Sequence, residues 1–432
     1  MGWLKWLYPG LKVKRWLLLI MMGLAFVFFG ILLISQLELL FNLFRWGKSI
    51  TKGWLDRPTG RMVGVSALAM GLFITVFGFK QMLRSILNAA LPDMPEGLVE
   101  LLYNRRSLKK GPKIVAIGGG TGLSVLLRGL KEYTSNITAI VSVADDGGSS
   151  GRLRGELGIL PPGDLRNCLI ALADREQIME ELLNYRFCQG ATLNGHNVGN
   201  LLLAGLAELK GDFNLAIQEL SKVLAIRGKV IPATLTPPVL GAELEDGEII
   251  RGQSIIARSP KPIKKVFLEP ADCAALEEAL QAISEADLII LGPGSLYTSV
   301  IPNLLIKEIN EALLMTSAPV AYVCNVATQP GETDGYSVSQ HVKALQVHGG
   351  QTLIDIVVVN TLVPDFSTAE EKVEPVPVDY RELRRLGLKV IGGDLVDETL
   401  GVRHDSKKLG RLLIRLVLWQ KNSRRLQKLF SF

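Results

Sequence analysis

Residues 113–133 read KIVAIGGGTGLSVLLRGLKEY. A short β-branched run meets three consecutive glycines, and the apolar residues after them recur at helical spacing. Strand, glycine turn and helix together open a βαβ unit. Residues 136–148, NITAIVSVADDGG, supply the next buried strand. Working outward, ADLIILGPGS (286–295), APVAYVCNV (318–326) and DIVVVN (355–360) are further short apolar runs. They do not alternate, as expected of strands covered on both faces, and each is separated from the next by room for a crossover helix. The pattern predicts an α/β domain, Rossmann-like and doubly wound around a mainly parallel sheet. Residues 166–222 read as mainly helical. Between 226 and 268 short β-prone pieces alternate with turns, which predicts a small β-rich insert with a hairpin turn at EDGE (245–248).

In front of this domain the composition changes. Of the 432 residues 48% are apolar, and the excess is concentrated in two uncharged runs, 16–35 and 62–79. At about 1.5 Å per residue, roughly twenty helical residues cross a hydrocarbon layer about 30 Å thick. The runs predict a two-helix transmembrane hairpin. Lys5, Lys12, Lys14 and Arg15 precede the pair and Lys80, Arg84, Arg105, Arg106, Lys109 and Lys110 follow it. Five basic residues between the runs (Arg45, Lys48, Lys52, Arg57, Arg61) moderate the bias, but it still favours both ends, and the large remainder, on the cytoplasmic side of the plasma (inner) membrane. The expected organisation is a membrane anchor with a basic linker over 1–110, a nucleotide-binding domain over 111–405, and a basic amphipathic tail over 406–432. Such a tail can lie on a membrane surface, but docking its apolar side on the domain is the commoner outcome.

The net charge is +6, yet the basic residues gather at the membrane flanks and in the tail, where anionic lipid accounts for them. Aromatic residues make up only 6% and show no interleaved stacking pattern, so a nucleic-acid partner is not expected. Cys168, Cys188, Cys273 and Cys324 are widely separated, without metal-ligand spacing, and read as reduced structural thiols.

The polar residues fall where the predicted strands end. Gly118, Gly119, Gly120, Thr121 and Gly122 join a strand to a helix, a place where backbone N–H groups favour a phosphate. They do not form the dinucleotide fingerprint, because Leu123 holds its third glycine position. Asp145 and Asp146 end the second strand; one can accept from sugar hydroxyls and the other hold Mg²⁺, with Asp146 the candidate metal ligand. Ser149, Ser150, Arg152 and Arg154 form a donor set suited to phosphate oxygens, and PPGDLRN (161–167) adds Asp164, Arg166 and Asn167 at a helix start. His196, Asn197 and Asn200 lie in NGHNVGN (194–200), where the histidine serves either as a general base or as a structural group. His341, His348 and His404 lie in no comparable cluster. LGPGSLYTSVIPNLL (291–305) places Gly294, Ser295, Tyr297, Thr298 and Ser299 at the same edge, with Tyr297 able to stack on a base. CNVATQPGETDGYS (324–337) adds Asn325, Thr328, Gln329, Glu332 and Thr333.

These motifs, in order over residues 113–400, resemble the YvcK-type gluconeogenesis factors, CofD-like relatives of the 2-phospho-L-lactate transferases of coenzyme F420 synthesis. The resemblance implies a Rossmann-like fold that binds UDP-N-acetylglucosamine or another UDP-sugar and supports cell shape and cell-wall synthesis under gluconeogenic growth. It thereby implies cell-wall synthesis proteins as partners and is compatible with a homo-oligomer. The transferase relatives imply the alternative, an Mg²⁺-dependent phosphotransferase using a guanosine diphosphate donor. On the first reading the glycine turns hold the diphosphate, Asp145 or Asp146 a metal or sugar hydroxyl, and Tyr297 the uracil. The regulatory binder is favoured over the enzyme, since no general base is evident and no catalytic residue is assigned.

Overall fold

The computed structural model describes residues 13–35, 58–90, 106–174, 177–190, 192–362, 373–397 and 402–430. The chain divides into two compact units, Met1–Tyr103 and Asn104–Phe432. Of the linker expected before residue 110, residues 91–105 lie outside the described residues.

In the first unit, helices α1 (Val13–Ser35) and α2 (Pro58–Ala90) pack antiparallel along their glycines. A Cβ at Gly30 would stand 2.7 Å from the Leu68 amide nitrogen, so only glycine lets the backbones approach this closely. Outward the pair is apolar, with Leu18 70% and Phe73 71% exposed. Both helices are long and apolar enough to cross a membrane, over Lys14–Ile34 and Arg61–Ser85.

The second unit runs β1 (Ile114–Gly118), α3 (Gly120–Leu130), β2 (Ile137–Val141), α4 (Gly148–Leu157), α5 (Pro162–Leu172), α6 (Gln177–Asn184), α7 (Val198–Lys210), α8 (Phe213–Val223) and β3 (Lys229–Pro232). Then follow β4 (Val239–Leu244), β5 (Ile249–Arg251), α9 (Gln253–Ile256), β6 (Ile263–Glu269), α10 (Glu277–Ser284), β7 (Leu288–Leu291) and one wide π-type turn, Leu296–Val300. The chain closes with α11 (Ile301–Leu304), α12 (Lys307–Met315), β8 (Val320–Val323), α13 (Val338–Gly349), β9 (Ile356–Asn360), α14 (Tyr380–Arg385), β10 (Lys389–Gly393) and α15 (Ser406–Phe430).

Seven strands form a parallel sheet in the order β10-β9-β8-β7-β1-β2-β3. Ile114 of β1 pairs with Ile137 on one side and Leu288 on the other. From β1 the chain winds outward first through β2 and β3, and later in the opposite direction from β7 to β10. The reversal beside β1 is the topological switch point, where ligands of open α/β sheets bind outside the carboxyl ends. Two cores cover the sheet. On one face Leu123, Leu126 and Leu127 of α3 pack with Leu165 and Leu169 of α5 and Leu409 and Leu413 of α15. On the other, Val300, Ile301, Ile309 and Leu345 join residues of the insert.

Two expectations change. The insert is a three-stranded antiparallel sheet, β5-β4-β6, with its hairpin turn at 245–248. It does not begin at 226, because β3 pairs with β2 in the main sheet. Residues 253–256, read as β-prone, are helical, following Gly252 at a φ of 104° that only glycine adopts easily. The tail docks its apolar side on the domain over its first turns, the commoner outcome for such a helix: Leu409, Leu413 and Val417 are fully buried against the sheet's helices.

Candidate functional site

Three glycine turns at the carboxyl edge, after β1, β7 and β8, open into one cavity of about 880 Å³ beside the switch point. Gly120, Thr121 and Gly122 line it from the first turn. Gly120 has a φ of +66°, and a Cβ on Gly122 would stand 2.6 Å from the Pro293 carbonyl oxygen. Both glycines are therefore required by geometry rather than by any ligand.

The second and third turns are tied together by side-chain amides. Asn325 accepts from Gly294 N at 3.2 Å and donates to Gly294 O at 2.9 Å. Gln329 donates to Ser295 Oγ at 2.9 Å. Glu332 accepts from Thr298 Oγ1 at 2.7 Å and from Tyr297 N at 3.2 Å. Burial raises the pKa of Glu332, and these donors hold it back. Ser295, Thr298, Asn325 and Gln329 thus present fixed donors and acceptors to the cavity. Gln253 and Arg258 of the insert and Arg403 and His404 complete its walls.

Against the first turn lies a second group of buried polar residues. Gly120 N donates to Asp164 Oδ2 at 2.7 Å, so the amide at the start of α3 already faces a carboxylate. Asp164 is pushed up to about 6, first by burial and then by the Asp145 charge. Burial also raises Asp145. Ser149 Oγ lies 3.1 Å from His196 Nδ1 and accepts from Asn200 Nδ2 at 3.2 Å. Arg166 donates to Asn200 Oδ1 and Asn167 Oδ1, both at 2.7 Å, and burial lowers it to about 10. Asn197 caps α7 by accepting from Gly199 N at 2.9 Å. Burial, then the charge of Arg152, lowers His196.

The expected residues therefore fall into two groups. Gly120, Thr121, Gly122, Gly294, Ser295, Thr298 and Asn325 line the cavity. Asp145, Ser149, Ser150, Arg166, Asn167, His196, Asn197 and Asn200 form the adjoining network, while Gly118 ends β1 and Gly119 backs onto Asp164. Two guanidiniums bind the protein's own backbone: Arg152 at Asn194 O and Arg154 at the carbonyls of Pro237 and Pro238. Tyr297 is the clear correction. It is 3% exposed in the core with its hydroxyl 3.1 Å from that of Tyr336, because the π-type turn directs it under the loop, so it cannot stack on a base. His404, read as unclustered, lines the cavity and is pushed down to about 4 by burial.

Among the described residues no three His, Cys, Asp or Glu side chains converge as a metal site. Asp146 accepts from Ser254 N at 2.8 Å and so tethers the insert. Burial raises both Asp145 and Asp164, and the Asp145 charge raises Asp164 further, so these two carboxylates are the pair a divalent cation would relieve.

A family model described as 2-phospho-L-lactate transferase CofD matches residues 114–396. The chain belongs to the CofD family. Among its relatives, the gluconeogenesis factor of Bacillus subtilis is 51% identical over 311 residues, 71% of this chain and 98% of its own. A Nostoc relative is 45% identical over 424 residues, 96% of this chain and 92% of its own. A crystal structure of a UPF0052 family protein from Bacillus halodurans, 50% identical, superposes with a TM-score of 0.68 over 70% of this chain and 99% of that one. As a CofD-family protein similar to gluconeogenesis factors, the chain has the fold read from its strands and glycine turns.

Proposed function

We propose that this CofD-family protein is a membrane-tethered regulator that binds a UDP-sugar and supports cell shape and cell-wall metabolism under gluconeogenic growth. The cavity at the switch point carries the reading. Its volume of about 880 Å³ lies within the roughly 300–1,000 Å³ of small-molecule sites. Its lining of glycine turns, hydroxyls and amides, with Arg258 and Arg403, suits a diphosphate joined to two hydroxyl-rich rings. The two apolar helices support the tether, which would hold the cytoplasmic domain beside the machinery of wall synthesis.

Calorimetric titration of the full chain with UDP-N-acetylglucosamine and with GDP, each with and without Mg²⁺, tests this. UDP-sugar binding without turnover is expected, weakened about tenfold in Asn325→Ala, equivalent to ~1.4 kcal/mol. The buried carboxylates favour one second reading, phosphoryl transfer, since paired groups of raised pKa mark many catalytic sites. In that case Asp145 and Asp164 would hold Mg²⁺, which supplies charge neutralisation at the diphosphate. Preference for GDP with strict dependence on Mg²⁺ would establish it and overturn the regulator.

A further inference from the structure

Where α15 passes the edge strand β10, a groove of about 440 Å³ faces outward. Its floor is apolar, formed by Ile391, Leu412 and Leu416, and its rim carries Lys389, Lys408, Arg411 and Arg415. Among the described lining residues the one carboxylate, Asp394, is 2.8 Å from Lys408 and is already neutralised by it. Arg411 and Arg415, both exposed, have no ion-pair or hydrogen-bond partner among the described residues. Spaced four apart, they share a helical stripe with Leu418 and Trp419, which are 49% and 58% exposed. Lys389 Nζ stands 3.8 Å over the Trp419 ring, joining strand and helix at this surface.

We propose that this face of α15 and β10 docks on a bilayer containing anionic phospholipid, with the guanidiniums at headgroup phosphates and Leu418 and Trp419 at the interface. Two observations select a bilayer over an acidic protein. Indole beside basic side chains matches the layered chemistry of a membrane surface, apolar inward and anionic at the headgroups. The same chain also carries two helices able to cross a membrane, so the proposal rests in part on the tether.

The test uses the full chain reconstituted in nanodiscs of phosphatidylcholine, with or without phosphatidylglycerol. An environment-sensitive fluorophore is placed at Leu418→Cys in a Cys188→Ser background, and brominated lipid serves as quencher. Quenching confined to the anionic discs and lost in high salt is expected. Replacing both arginines (Arg411→Gln with Arg415→Gln) should cut the ratio of docked to undocked label roughly 30-fold, about fivefold for each basic residue lost. Equal quenching in neutral and anionic discs, or none in either, overturns the docking surface. Resistance of the chain to alkaline carbonate extraction, read on the same samples, reports the tether separately. A chain that resists extraction without anionic quenching keeps the tether and loses the surface; one that is extracted yet quenched does the reverse.

Discussion

Asp164 stands where α3 begins, and it and His404 contribute to the domain's pH response with opposite sign. Burial and the Asp145 charge push Asp164 to about 6 from an ordinary 3.8. The folded chain thus keeps a proton that the unfolded chain has released; this stability is complete below about pH 4 and is lost as pH rises through about 6. His404, pushed down by burial to about 4 from an ordinary 6.5, acts in the other direction. There the unfolded chain takes the proton first, so stability present above about pH 6.5 is lost as pH falls toward 4. Each contribution amounts to roughly 3 kcal/mol, and between about pH 4 and pH 6 they largely cancel. Asp164→Asn, whose amide oxygen still accepts from Gly120, should be more stable than the parent at about pH 7.5 and should lose stability on acidification. His404→Gln should gain on acidification. Urea unfolding at about pH 4.5 and about pH 7.5 checks both, and identical pH profiles for parent and variants would contradict the argument. At this scale the glycines were legible, because a strand running straight into a helix requires them whatever they bind. Tyr297 was misread because a hydroxyl satisfied by Tyr336 looks, in sequence, like one offered to a ligand.

Among the elements, α15 shows most clearly how packing decides a role that composition leaves open. It crosses α3 where two glycines meet: a Cβ on Gly129 would lie 1.9 Å from Ser406 O, and one on Gly410 would lie 2.7 Å from the Gly129 carbonyl carbon. Because backbone meets backbone, neither side can yield by changing a rotamer. Gly129→Leu should therefore cost about 3 kcal/mol or more, at the upper end of overpacking, seen as a lower denaturant midpoint with an unchanged slope. Gly155→Leu, where a Cβ meets nothing within 4 Å and a better helix former replaces glycine inside α4, should cost nothing and gain up to about 1 kcal/mol. The central strands were readable because β1, β7 and β8 are covered on both faces and so are apolar throughout. β10 escaped, since KVIGG is only half buried at the sheet edge. β3 was grouped with the insert because the prolines after it resemble insert turns, while its partner strand lies some ninety residues earlier.

For the whole molecule, the comparisons separate what the domain needs from what accompanies it. The Bacillus subtilis relative is matched over 98% of its length by 71% of this chain, and the Nostoc relative by 96%. The sheet domain should therefore fold without the helical pair. A fragment from residue 106 onward is expected to unfold cooperatively, with a midpoint within about 2 °C of the same transition in the full chain. A shift of more than about 8 °C, or loss of cooperativity, would show that the first unit contributes to the domain's stability. Much of the site was also legible at this scale, since topology sends every strand's end to one edge. Arg258, Arg403 and His404 were not: they reach the cavity through the placement of the insert and of the segment before α15, which leaves no local period or spacing to read.

The insert touches that cavity from outside the sheet. Apart from core packing, Asp146 at Ser254 and His348 at the amide of Val266 fasten it. A molecule filling the cavity would bridge the rigid turns and the insert's 253–260 segment at once. Occupancy would then cross-link the two sheets through the cavity, adding a third tie to the two that side chains already make.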